Sequence, residues 1–202
     1  MPLASVEADF AVDSSGFGTS RYIRWYDHKY GKMMRKAQWI KAHVMCGVKT
    51  NIITAIEIGE EYSGDSPVLP PLLKTTAKAF TISEVSADAA YGSKANVAAI
   101  AANNGTPFMA FKRNTTGKAS ALYEQMFHYF MYKREEYLQH YHKRSNIEST
   151  FSMMKRKFGD WLRSKTDAAL VNETLCKVLC HNLVVLIHEM CELNIEEPFW
   201  KN

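Results

Sequence analysis

Tyr141, Arg144, Glu148, Ser152 and Lys155 fall on one stripe when the segment from about Glu135 to Phe158 is wound as a helix, at about 100° per residue. With Glu148 as origin, the other four lie within roughly 40° to either side. Ile147, Phe151, Met154 and Phe158 make a second, apolar stripe centred about 90° away. The apolar stripe anchors the helix on a core, so Glu148 is expected to point along the edge of the anchored face rather than into bulk water. Two kinds of chemistry suit such a carboxylate. It makes ordinary i,i+4 ion pairs on a surface helix, or it is an oxygen ligand held beside phosphate-binding cations. Two aspartates close short strand-like segments earlier in the chain, Asp13 after Phe10–Ala11–Val12 and Asp88 after Thr81–Ala87. Each is either a turn-capping aspartate or a further carboxylate for that chemistry. Hard carboxylate oxygens are the ligands that Mg²⁺ prefers.

The elements that must position these residues can be read from periodicity. Phe10 to Asp13 reads as a short strand ending in a polar turn at Ser14–Ser15–Gly16. Ile40, Ala42, Val44, Cys46 and Val48 alternate with Lys41, His43, Met45 and Gly47, a period of two that predicts a strand with one buried face. After a turn at Thr50–Asn51, Ile52, Thr54, Ile56 and Ile58 predict its antiparallel partner. A helix is expected from Gly64–Asp65–Ser66–Pro67 to about Ala79, a strand over Thr81–Ala87, and a helix capped by Ser93 and closed near Asn104–Gly105. A short strand over Pro107–Phe111 follows, and from about Ser120 the chain turns helical. The last helix, roughly Ala168–Leu193, is apolar around much of its girth and is expected to be buried. Three meandering antiparallel strands followed by strand–helix–strand crossovers predict a mixed α/β sheet with helices on both faces.

The spacing Tyr141-x2-Arg144-x3-Glu148-x6-Lys155 resembles the signature of prokaryotic insertion-sequence transposases of the DDE class. Ala11–Val12–Asp13–Ser14 is similar to that family's first-aspartate strand. Ser86–Ala87–Asp88–Ala89–Ala90–Tyr91 is similar to its second, where a small residue and then tyrosine follow the aspartate. The resemblance runs from about Phe10 to about His188. It implies a ribonuclease H-like fold, a five-stranded mixed sheet of three antiparallel strands plus two parallel ones. It implies a catalytic domain over 9–193, with tails at 1–8 and 194–202. Asp13, Asp88 and Glu148 would be the catalytic, metal-binding carboxylates. The cofactor would be Mg²⁺, with Mn²⁺ as a substitute. Two such ions about 3.5–4 Å apart serve attacking and leaving oxygens together. Tyr141, Arg144 and Lys155 would contact the DNA backbone near the cut. The implied reaction cuts double-stranded DNA at an element's end, and the freed 3′ hydroxyl then attacks target DNA. A homodimer is implied, because two ends are joined. A metal-dependent nuclease without strand transfer, or a non-catalytic DNA-binding remnant, is the competing reading.

Charge agrees with a nucleic-acid partner without demanding one, at 25 Lys plus Arg against 21 Asp plus Glu. Its distribution is uneven. Between residues 21 and 36, Arg21, Arg24, Lys29, Lys32, Arg35 and Lys36 meet only Asp27, with Tyr22, Trp25, Tyr26 and Tyr30 interleaved. Such a loop tracks phosphates and stacks on unpaired bases, or is a solvated loop whose rings pack on the domain. Lys112, Arg113, Arg156, Lys157, Arg163 and Lys165 extend the basic surface. Cys46, Cys176, Cys180 and Cys191 occupy apolar, regular segments and read as reduced core thiols. Scattered histidines are left out of the site. No apolar run approaches the ~20 residues of a membrane span, so a cytoplasmic, nucleoid-associated protein without a membrane partner is expected. Asp13 lies close to the first residue, which leaves no room for a region recognising terminal repeats and predicts a fragment or truncated copy.

Overall fold

The structure is a computed structural model that describes residues 2–19, 39–59, 63–112, 115 and 120–193. The basic loop, with Arg21, Arg24, Trp25, Lys29 and Lys32, lies outside the described residues, as does Arg113.

Five strands form one sheet: β1 (Asp9–Gly18), β2 (Trp39–Gly47), β3 (Ile53–Gly59), β4 (Glu84–Ala87) and β5 (Thr106–Met109), in the order β3-β2-β1-β4-β5. β1–β2 and β2–β3 are antiparallel, while β1–β4 and β4–β5 are parallel. This is the ribonuclease H-like mixed sheet. The helices are α1 (Leu69–Thr76), α2 (Lys94–Ala102), α3 (Ala121–Tyr132), α4 (Arg134–Tyr141), α5 (Ser145–Phe158) and α6 (Asp167–Glu192).

Strand β1 corrects the first expectation. Ser14–Ser15–Gly16 do not turn; they continue the strand, paired with His43, Ala42 and Lys41 of β2. The long β2 supplies backbone partners that outweigh the turn preference of those residues. Alternation then sends Asp9, Ala11 and Asp13 to one face of the sheet and Phe10, Val12 and Ser14 to the other. On the first face, Ala11, Val44 and Cys46 pack with Ile147, Phe151 and Met154 of α5 and Leu170 and Val178 of α6. On the second, Phe10, Val12 and Met45 pack with Leu69, Leu72 and Leu73 of α1 and Val97 and Ile100 of α2. Both faces are covered, and Ile53 and Ala55 serve opposite cores because the β2–β3 register shifts between Met45 and Cys46 and leaves Thr54 as an extra residue.

The N-terminal residues join this body. Leu3 and Glu7 are buried. The Glu7 carboxylate accepts hydrogen bonds from the Lys49 and Thr50 N–H groups and the Thr50 hydroxyl, tying the strand entry to the β2–β3 turn. Burial raises its pKa, and those bonds act in the opposite direction. Gly47 is required there, since a Cβ would lie 2.3 Å from Glu7 Oε2.

Two helical expectations are revised. The segment read as one helix is broken: α4 ends at Tyr141, a 3-10 turn covers His142–Arg144, and α5 begins at Ser145. Helix α6 is long and apolar enough to cross a membrane by length and composition, yet it is buried along one face only. Leu170, Thr174, Val178, His181 and Val185 face inward, while Leu175, Leu179, Leu183 and Ile187 are exposed. Asn182 exchanges hydrogen bonds with the Ile53 backbone and His181 with Asn51 O, which docks the helix on the sheet. Accordingly only Cys46 is a core thiol among the four, and Cys176, Cys180 and Cys191 are exposed.

Candidate active site

Val12 and Ala87 form the last pair of the parallel β1–β4 ladder. Asp13 and Asp88 are therefore the next residue on each of two adjacent strands, which run about 4.8 Å apart. Asp13 stays in the strand. Its Oδ1 accepts the Ser14 N–H at 2.8 Å. Asp88 leaves the sheet and caps the 3-10 turn Ala89–Tyr91, Oδ1 accepting the Ala89 N–H at 2.6 Å. The turn-capping role and a place beside Asp13 are thus both filled by the same residue.

Glu148 arrives from the opposite layer, in the first turn of α5, where the helix dipole favours a carboxylate. Buried Ile147, Phe151 and Met154 fix α5 over the sheet. Gly159 ends the helix at φ +84, a left-handed value, with the Trp161 ring 3.1 Å from where a Cβ would sit. The Glu148 side chain is 60% exposed. It lies at the outer lip of the site and not under cover of the sheet edge, a correction to the sequence reading: the position about a quarter turn round α5 from the buried Ile147, Phe151 and Met154 is already open to water.

Arg144 joins the two layers. One guanidinium nitrogen donates to Asp13 Oδ2 at 2.7 Å and the other to Glu148 Oε1 at 2.8 Å. Asp88 is near enough that it, with Glu148, pushes the Asp13 carboxyl upward. Burial is the larger cause of that rise, and the Ser14 N–H and Arg144 counter it. Arg144 itself is held above its ordinary pKa: burial opposes its charge, but Asp13, Tyr141, Glu148 and Asp88 favour it.

Lys155 donates to Ser15 Oγ at 2.7 Å and Gly16 O at 2.8 Å and lies over the Phe17 ring. Burial lowers its pKa. Tyr141 packs against the Phe108–Met126–Tyr137 cluster beneath α4. The stripe expected from a single helix is therefore assembled from three elements, with Arg144 directed into the carboxylates and Lys155 onto β1.

A second set of groups stands behind Asp13, and sequence reasoning did not single it out. Ser14 donates to Asp65 Oδ1 at 3.4 Å, Lys41 pairs with Asp65 at 2.6 Å, and the fully buried His43 shares a 2.9 Å hydrogen bond with the Tyr91 hydroxyl. Burial lowers the His43 pKa, and Asp65 partly offsets it. The usable signal was the β1–β2 register, which pairs Ser14 with His43.

Three carboxylates against one guanidinium leave an excess of negative charge on hard oxygen ligands, a donor set that fits a divalent cation. Asp13, Asp88 and Glu148 do not gather ligating atoms within 4.8 Å of one another. Among the described residues His188, Glu189 and Glu192 on the surface of α6 do.

A family model described as "Transposase DDE domain" matches residues 5–183. No curated protein matches the chain.

Proposed function

The chain belongs to the transposase DDE domain family, and from that premise we propose that it is a DNA transposase whose catalytic domain spans 9–193, with Asp13, Asp88 and Glu148 as its metal-binding carboxylates. The family is DNA-acting and divalent-metal dependent. The observation that supports the site is that Asp13 and Asp88 follow one ladder pair while a single guanidinium ties Asp13 to Glu148.

Mg²⁺, with Mn²⁺ as a substitute, would supply charge neutralisation at the attacked phosphate and its leaving oxygen. The chain's own residues do the rest. Strands β1 and β4 fix Asp13 and Asp88, and the packed α5 fixes Glu148, so the carboxylates are set on rigid elements before substrate arrives. Arg144 presents a planar fork that matches phosphate oxygens. Tyr141 and Lys155 flank it as backbone contacts, and Arg21, Arg24, Trp25, Lys29 and Lys32 extend the DNA surface. The substrates are double-stranded element ends of an insertion sequence and target DNA. Two chains act together in the active complex.

The test is an oligonucleotide assay with Mg²⁺. Wild-type protein should cut a duplex carrying the element's end and join the 3′ hydroxyl to a target, and Asp88→Ala should do neither. Cutting without joining establishes a nuclease in place of a transposase. Undiminished processing by Asp88→Ala removes the carboxylates from the reaction.

A further inference from the structure

The cations near the carboxylates differ in how they are held. Lys143 is fixed by Asp9 and Glu84, at 2.8 and 2.7 Å. Lys155 is fixed by Ser15 Oγ and Gly16 O. Arg144 instead uses its two terminal nitrogens on carboxylates from different layers, Asp13 on β1 and Glu148 on α5. Those two oxygens are among the ones a divalent ion would need under the reading above. A single positive charge leaves three carboxylates under-neutralised, whereas a divalent ion matches them better. Under that reading, guanidinium and metal would draw on the same two carboxylates.

We infer that Arg144 is a resident counter-cation that exchanges places with the metal. In the metal-free protein it ties the strand aspartate to the helix glutamate. When a divalent ion takes those oxygens, the guanidinium loses both partners and is free to receive a DNA phosphate, for which its donor fork is suited. Metal loading and phosphate capture then become one coupled event. By linkage, metal raises DNA affinity by the same factor as DNA raises metal affinity. Arg144 is here a positioning residue for the empty site and a phosphate ligand for the loaded one. The inference rests on the metal-site reading proposed above.

Two measurements on the full chain test it. First, Mn²⁺ binding without DNA is compared between wild type and Arg144→Gln. Removing the competing cation should tighten binding about tenfold. It should also shrink the enhancement that metal gives to affinity for a non-specific duplex. Equal or weaker Mn²⁺ binding by Arg144→Gln overturns the inference. Second, should that variant fail to fold, wild-type protein is titrated with Mg²⁺ while the Arg144 Nε–H resonance is followed. Saturation should shift this signal and speed rotation of its guanidinium. Mg²⁺ that perturbs Asp13, Asp88 and Glu148 while Arg144 stays paired overturns this inference alone. Mg²⁺ that perturbs none of the four overturns both it and the metal-site reading.

Discussion

Two clusters of carboxylates lie on the same face of β1, four residues apart, and they are built to opposite ends. At Asp9, paired in register with Glu84 of β4, Lys143 bridges both carboxylates and His140 adds a 2.9 Å contact to Glu84. Burial alone would raise the Glu84 pKa, but hydrogen bonds from Lys143 and His140 bring it below the ordinary value. At Asp13 cations are scarcer. Asp13 and Glu148 share Arg144 with Asp88 close by, and burial, followed by Asp88 and Glu148, raises the Asp13 pKa. The first cluster sets two basic side chains against its two carboxylates. The second keeps an unmet demand for positive charge. Strand position and residue type do not separate the two, but the balance of charge around each does.

The comparison can be broken most forcefully at the second cluster. Asp13→Ala should reduce Mg²⁺-dependent DNA cleavage by about three orders of magnitude, while the metal-free protein unfolds at the same urea concentration as wild type or higher, because like-charge repulsion is relieved. Loss of folding stability on the same scale as at Asp9 would erase the distinction. Lys143→Met should show the converse. It leaves Asp9 and Glu84 part-buried without their cation, which costs about 1–2 kcal/mol in urea unfolding, reduced from a fully buried pair by residual hydration. Cleavage per folded molecule should hold.

The pH response sharpens the contrast, because the two shifts have opposite signs. Glu84 is depressed in the fold. Its contribution is present above its ordinary value of 4.5 and is lost as pH falls through the lower folded value. Asp13 is elevated, so the folded chain binds its proton first. Its penalty is complete above the folded value and is relieved as pH falls toward the ordinary 3.8. In EDTA, unfolding midpoints measured from neutral pH downward should show Glu84→Gln flattening the acid loss and Asp13→Asn flattening the acid gain. The smallest effect is expected at His140. His140→Phe keeps the ring stacked on Phe108, 4.5 Å away, and removes only the Glu84 contact, for about 0.5 kcal/mol.

Much of this was legible in the chain. Period-two alternation located β2, and its continuation past Thr50–Asn51 located β3; Ser93, whose hydroxyl accepts the Asn96 N–H, marked the start of α2. Asp13, Asp88 and Glu148 were legible only as the family's order of carboxylates, because the parallel β1–β4 register sets Asp13 beside Asp88 and helix packing brings Glu148 toward Arg144. Three features escaped for physical reasons. The strand through Ser14–Gly16 exists because β2 is long enough to pair with it. The exposed side of α6 has the same apolar composition as its buried side, so a helical wheel cannot tell them apart. Asp9 and Glu84 each look like solvent-facing acids until the register places them beside Lys143.

The 3-10 turn at His142–Arg144 has a mechanical consequence. Consecutive side chains there diverge along β1, Lys143 reaching Asp9 and Arg144 reaching Asp13. A continuous α-helix advances only about 1.5 Å per residue, whereas the tighter turn advances about 2.0 Å and changes the rotation at each step. The turn is thus a pinned joint. Buried Ile147 seats the helix that follows, and Glu148 stands on it as on a lever about one helical turn beyond Arg144. Adding or deleting a residue between Lys143 and Glu148 would rotate that lever by about 100°, carrying the glutamate away from its aspartates while every strand stayed in place.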